Sequence, residues 1–285
     1  DGEYIVFKTI YVNIDPVNDA PILAEVGANT TDEDTPLTIV LSGSDTDDDE
    51  LQFNANSDNL NVGAEVANNQ LTLTPADNWN GTVNISVTVS DSVSNTIGNE
   101  LIDSEVFSLT VTPVNDSPIL SEVGADTTDE DTPLIITLSA SDIDGDDLIF
   151  SAESYSENVS VNVVENQLTL TPALNFNGTA DISVTVSDGE FTDSEIFEFV
   201  VNPVNDAPLL ATIADTSTVE DTPLTITISA SDVDGDDLSF TAESGGENVT
   251  VSVAGGQLTL APAESWNGSM NISVIVSDGE FTDSE

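Results

Sequence analysis

Apolar and polar residues alternate along this chain in short runs that come back three times. Residues 180–186 read Ala-Asp-Ile-Ser-Val-Thr-Val, and the runs at 83–89 and 270–276 keep the same every-second-residue phase. A period of two puts one set of side chains on one face of a strand and the other set on the opposite face. In the 114–203 stretch the pattern predicts strands at 119–122, 134–139, 148–153, 159–164, 167–171, 180–186 and 196–201. Seven short strands separated by turn signals indicate an all-β chain built from seven-stranded β-sandwiches. Between the fourth and fifth strands stand Asn68-Asn69, Glu165-Asn166 and Gly255-Gly256, which suit a two-residue turn with positive φ.

The strands belong to repeats. Val17-Asn18-Asp19-Ala20-Pro21 returns as Val114-Asn115-Asp116-Ser117-Pro118 and Val204-Asn205-Asp206-Ala207-Pro208, at intervals of 97 and then 90 residues. A period this regular marks an array of modules. Aligned on itself, the chain divides into residues 1–16, which match 188–203 and read as the last strand of a preceding repeat, and repeats at 17–113, 114–203 and 204–285. The last of these is expected to lack its final strand. The seven extra residues of the first repeat lie between Asp91 and Glu105, in a hairpin loop where an insertion is cheap.

Charge changes the picture from scaffold to chemistry. The chain carries 54 acidic residues against one basic residue, Lys8, with no histidine and no cysteine, for a net charge of -53. Nucleic acid is excluded as a partner, because phosphate binding depends on Lys and Arg. No 18-residue apolar run occurs, so direct membrane insertion is not expected. In the linker and the loops of these motifs eight acidic positions recur in all three repeats, accounting for 24 of the 54 acids. General solvation would not lock them in phase.

If successive strands alternate in direction, three acidic features share the top of each repeat: the incoming linker, the Asp142-Ile143-Asp144-Gly145-Asp146-Asp147 loop and the Asp188-Gly189-Glu190 loop. Glu130-Asp131 and the Asn175-Phe176-Asn177-Gly178 loop fall at the bottom, beside the outgoing linker. Stacked end to end, acidic bottom would face acidic top. A hard divalent cation fits such a junction: Ca²⁺ takes six to eight oxygen ligands, whereas Zn²⁺ wants the Cys or His this chain lacks. The DxDGDD loop is not an EF-hand, because its glycine is fourth rather than sixth. Trp79, Phe176 and Trp266 recur at one phase and are expected to plug one end of each core.

The linker V-N-D-A-P, the E-D-T-P before the second strand, the S-D-x-D-G-D-D-L after it and the V-S-D-G-E before the last hairpin resemble cadherin-like repeats of the tandem-95 type, found in large secreted bacterial surface adhesins. The resemblance covers essentially the whole chain. It implies Ig-like, cadherin-like sandwiches arranged end to end, with Ca²⁺ at the junctions. Carried over by position, the Asn115-Asp116 junction takes Glu33 and Asp34 from below and Asp142, Asp144 and Asp188 from above. The Asn205-Asp206 junction takes Glu130, Asp131, Asp232, Asp234 and Asp278, and the Asn18-Asp19 linker has Asp45, Asp47 and Asp91 at the corresponding positions. Pro16, Pro113 and Pro203 stand where cadherins have an aspartate, which implies fewer ions per junction than cadherins carry or a different ligand set.

The resemblance therefore implies a non-catalytic, calcium-stiffened extender at the bacterial cell surface. Its contacts would be neighbouring repeats of the same chain, with host or matrix glycans or proteins reached through other regions. Two alternatives stay open. One is a glycan- or protein-binding module with its site at the 92–105 insertion; the other is a filament subunit in which residues 1–16 complete the third repeat of a neighbouring chain. Without His or Cys there is no nucleophile–base pairing to support an enzyme.

Overall fold

The computed structural model describes residues 2–3, 5, 7–15, 17–92 and 100–285. Most of the insertion, and with it the expected ligand site at 92–105, lies outside the described residues. The chain forms two compact units: residues 1–116 with 143–145, and residues 117–142 with 146–285. The first holds one β-sandwich and the second holds two more.

In the first unit a four-stranded sheet runs in the order Asn29–Asp32, Ile102–Thr112, Gly81–Ser92, Glu50–Ser57. It packs on a three-stranded sheet of Leu37–Val40, Gln70–Pro75 and Val62–Ala67. Alternation places the inward residues: Leu71, Leu73, Ile85, Val87 and Leu109 are fully buried, while their sequence neighbours point outward. The second unit repeats the plan in its four-stranded sheet of Asp126–Asp129, Thr192–Asn202, Gly178–Ser187 and Ile149–Ser154. Opposite lies Leu134–Thr137, Gln167–Pro172 and Val159–Val164. All seven expected strands of this repeat are present, Val159–Val164 with the expected bounds and the others with shifted ones.

Two features depart from the pattern-based expectation. The first strand is only Ile119–Leu120, paired antiparallel with Ala140–Ser141; the chain then crosses to the other sheet, where Asp126–Asp129 pairs in parallel with Thr192–Asn202. That polar Asp-Thr-Thr-Asp strand has no local hydrophobic signal, because what makes it a strand is a partner more than sixty residues later. The last strand also begins at Thr192 rather than 196, so the third repeat contains its opening residues, Thr282–Ser284. That third repeat has sheets of Ser239–Ser244, Ile272–Ser277 and Thr282–Ser284, and of Leu224–Thr227, Gln257–Pro262 and Val249–Ala254. Its residues 216–219, equivalent to Asp126–Asp129, form no strand.

In the first two repeats the recurring aromatic closes the core over a glycine. Trp79 packs against the core of the first repeat and Phe176 against that of the second. Gly81 follows with φ 149°, and a Cβ there would come within 2.9 Å of the Trp79 ring. Gly81→Ala therefore combines a strained backbone with a collision. We expect it to cost about 1–3 kcal/mol, read as a lower denaturant midpoint at unchanged m-value.

Candidate metal centre

The linker between the second and third repeats gathers carboxylates from both. Val204 N–H donates to Glu130 Oε1 at 2.6 Å, Asn205 Nδ2 to Asp278 Oδ2 at 3.0 Å, and Asp206 N–H to Asp234 Oδ2 at 2.8 Å. Three consecutive linker residues thus each hold one acid, Glu130 from the second repeat and Asp234 and Asp278 from the third. Glu130 is only 4% exposed. Its Oε2, together with Asp206 Oδ2 and Asp232 Oδ2, is shielded from solvent and has no hydrogen-bond partner.

The loops are shaped to present these groups. Asp232 Oδ1 accepts the N–H groups of Asp234, Gly235 and Asp236, wrapping the loop round its own first carboxylate. Within that turn carboxylate oxygens of Asp232, Asp234 and Asp236 lie within 4.8 Å of one another. Asp278 Oδ1 accepts Glu280 and Phe281 N–H in the same manner, and Asp188 does so with Glu190 and Phe191. In the Asp142 loop the corresponding bond runs from Asp146 N–H to Asp142 Oδ1.

The first unit repeats these contacts. Asn18 Nδ2 donates to Asp91 Oδ2 at 2.8 Å and Asp19 N–H to Asp47 Oδ2 at 2.7 Å. Asp45 Oδ1 caps Asp47 N–H, while its Oδ2 is shielded and unpartnered. Buried Asp91 spends its other oxygen on Leu101 N–H. At the next linker, Val114 N–H donates to buried Glu33 at 2.6 Å and Asp116 N–H to Asp144 Oδ2 at 2.8 Å. Oxygens of Glu33, Asp116 and Asp144 lie within 4.8 Å of one another. Asn115 is half-buried in the same linker.

Asp34 and Asp131 do a second job that their spacing in the chain does not reveal. Each sits at φ 57° and uses Oδ1 to accept the N–H of Asn78 or Asn175, tying the Glu-Asp-Thr-Pro turn to the aromatic-Asn-Gly loop. The Asn78 side-chain amide, turned to donate, reaches Asp34 Oδ2 and Asp116 Oδ2 at 3.2 Å each.

A further set of acids escapes the motif-based expectation altogether. Asp103, Asp193 and Asp283 accept the N–H of Leu23, Leu120 and Leu210 at 2.8–2.9 Å. Glu105, Glu195 and Glu285 accept those of Val26, Val123 and Ile213. These bonds satisfy the backbone where the first strand leaves one sheet for the other. A signal for them exists in the thrice-repeated Asp-Ser-Glu triplet.

Electrostatically the junction is strained. Burial raises the Asp206 pKa above the usual aspartate value, and the charges of Asp234, Asp131, Glu130 and Asp232 raise it further. Asp278 goes the other way: burial opposes its ionisation, but the Glu280 and Phe281 N–H groups and the Asn205 amide outweigh that and lower its pKa. Shielded carboxylate oxygens with no donor carry a desolvation cost unless a cation meets them. An all-oxygen donor set suits a hard divalent ion.

The fold and this geometry define a class: tandem Ig-like β-sandwich repeats with acid-lined linkers. Residues 18–100 and 205–285 match the family described as Bacterial Ig domain, and residues 114–202 match Cadherin-like domain. The chain belongs to the bacterial Ig domain family, with a second repeat of the cadherin-like type. Among solved structures, a protocadherin gammaB7 EC3-6 cis-dimer is 16% identical, with 94% of this chain and 77% of that chain covered at a TM-score of 0.48. Drosophila N-cadherin EC1-4 is 15% identical, with 90% and 71% covered and a TM-score of 0.39. The human desmocollin-1 ectodomain is 14% identical, with 95% and 58% covered and a TM-score of 0.38, so this chain spans little more than half its length. A search among curated proteins found no match. Both families point to an extracellular, adhesin-type repeat made of structural domains. No helix among the described residues is long and apolar enough to cross a membrane.

Two outcomes follow from these contacts. Asp193→Ala strips an anionic acceptor from the half-buried Leu120 N–H and should cost about 1–3 kcal/mol in chemical unfolding. In chelator, ionised Asp206 opposes folding, so its penalty grows as pH rises from the ordinary aspartate range through its raised pKa. Lowered Asp278 contributes stability above the ordinary range and loses it as pH falls through its own lower value. Asp206→Asn should accordingly raise the melting temperature at neutral pH and Asp278→Asn lower it. The Asp206→Asn gain should vanish below about pH 3, where both side chains are neutral.

Proposed function

We propose that this chain is a calcium-rigidified extender segment of a long extracellular bacterial adhesin or surface fibre. Its units are the repeats at 17–113, 114–203 and 204–285, and Ca²⁺ is held at their linkers. The observation that carries this reading is that Glu130 Oε2, Asp206 Oδ2 and Asp232 Oδ2, from the linker between the second and third repeats and the loops bound to it, are each shielded and unpartnered in a chain whose single basic residue is Lys8. Asp131, Asn205, Asp234 and Asp278 complete the proposed ligand set, with Glu33, Asp116 and Asp144 forming its counterpart at the preceding linker.

The mechanism is linkage. Without the ion, ionised acids repel across the linker and the repeats are free to bend about it. When the ion is present the same acids become ligands, and repulsion is replaced by attraction to a common centre. Ca²⁺ at 100 times a site's dissociation constant adds about 2.7 kcal/mol per independent site. A chain exported through a calcium-poor cytosol would stiffen only outside the cell. Tandem-repeat surface proteins of this kind are also associated with type I secretion and biofilm formation, and the proposal extends to that setting.

Thermal unfolding with small-angle scattering during a calcium titration tests it, with magnesium as the control for charge screening. The expected result is a calcium-specific rise in melting temperature together with stiffening of the scattering profile. Asp206→Asn should melt higher than the parent in chelator and lower than it in saturating calcium. Equal responses to calcium and magnesium, or no such reversal, would overturn the proposal.

A further inference from the structure

Asn78 reaches the Asn115-Asp116 linker without belonging to any of the acidic motifs. It precedes Trp79, holds φ 53°, and donates its backbone N–H to Asp34 Oδ1 at 2.9 Å. Asn is among the few residues with a Cβ that tolerate this left-handed backbone. The arrangement comes back in every repeat: Asn175 at φ 56° donates to Asp131 Oδ1, and Ser265 at φ 59° to Asp221 Oδ1. In all three the same turn fixes the backbone of a residue whose side chain carries an oxygen.

The Asn78 side chain meets two acids at once. Its amide, turned to donate, lies 3.2 Å from both Asp34 Oδ2 and Asp116 Oδ2. Asp116 in turn belongs to the trio, with Glu33 and Asp144, whose carboxylate oxygens lie within 4.8 Å of one another. Glu33 is buried, and its phase partner at the next linker, Glu130, keeps Oε2 shielded with no donor. In a chain whose one basic residue is Lys8, a neutral amide here does part of what a cation would do. A carboxamide has a donor end and an acceptor end of nearly equal size. Turned one way it satisfies two carboxylates; turned the other it presents an oxygen of the kind Ca²⁺ accepts from Asn side chains. The second orientation sets three oxygens against one another and is stable only with a cation among them. An aspartate at position 78 could serve only that second orientation, and its charge would add to the repulsion in the first.

We propose that Asn78 is a reversible amide at this linker: without an ion its N–H groups hold Asp34 and Asp116, and with Ca²⁺ present it turns over and gives Oδ1 as a ligand. Repeat phase assigns the same role to Asn175, toward Asp131 and Asp206. The inference rests on the reading of the linkers as calcium sites and adds to it a ligand that carries no charge. The ion-free linker therefore gains a pair of hydrogen bonds where a further acid would have brought repulsion.

Nuclear magnetic resonance on the isotope-labelled chain, titrated with calcium from chelator to saturation, reads the outcome. In chelator the Asn78 side-chain NH₂ protons should exchange slowly with water. In calcium they should exchange faster and the Asn78 Cγ signal should shift, at the same midpoint as the backbone amides of Glu33 and Asp116. Asn78→Gly keeps the left-handed turn and its bond to Asp34 Oδ1 while removing the amide, and should weaken calcium binding, read at Glu33 and Asp116, by about tenfold. Were Asn78 only a latch that the ion must displace, the same variant would bind calcium more tightly than the parent. Shifts at Glu33 and Asp116 with an unchanged Asn78 amide, or undiminished binding in Asn78→Gly, would overturn the proposal and leave the calcium reading standing. No calcium-dependent change at any of the three residues would overturn both.

Discussion

Everything distinctive about this molecule turns on the burial of carboxylates beside one another in a chain almost without positive charge. Glu130 is buried with one oxygen bound to a linker amide and the other unpartnered. Asp206 ionises against the fields of four neighbouring acids. A protein seeking stability alone would place an apolar residue or a lysine at such positions. Retaining acids there leaves desolvated oxygens beside the linker, a cost that the proposed junction cation would relieve.

The same acids do two kinds of work, and hydrogen bonding separates them. Asp103, Asp193 and Asp283, with Glu105, Glu195 and Glu285, point back onto the backbone of their own repeat, where they hold the crossing of the first strand. Their oxygens are satisfied by amides. At the linkers amides satisfy only part of the set, and shielded oxygens are left over at Asp45, Glu130, Asp206 and Asp232. Asp34 and Asp131 belong to both groups, with Oδ1 fixed by a neighbouring loop.

The last strand has a comparable double importance. It is paired on both sides in the first two repeats, and its inward residues complete their cores. Sheet order makes it so: an edge strand ties one neighbour, whereas this central strand ties two.

Much of this is legible in the sequence, because strand alternation and repeat phase are local or strictly periodic signals. The period-two runs place Ala180, Ile182, Val184 and Val186 on one face, and all four are buried. Phase-locking marks the linker and loop acids, but it marks the Asp-Ser-Glu triplet as well. The Asp126–Asp129 strand is not legible, since its residues are polar and its parallel partner is supplied by distant chain. Nor is the division of labour among the acids, which depends on whether each oxygen meets an amide, solvent or another carboxylate. Sequence alone thus determined the all-β repeat and the inventory of oxygen donors, because spacing and alternation fix which side chains share a face. Only the tertiary structure decided which donors are already satisfied and which are buried and left over, because solvent exclusion and hydrogen-bond geometry arise only when distant loops are folded against one another.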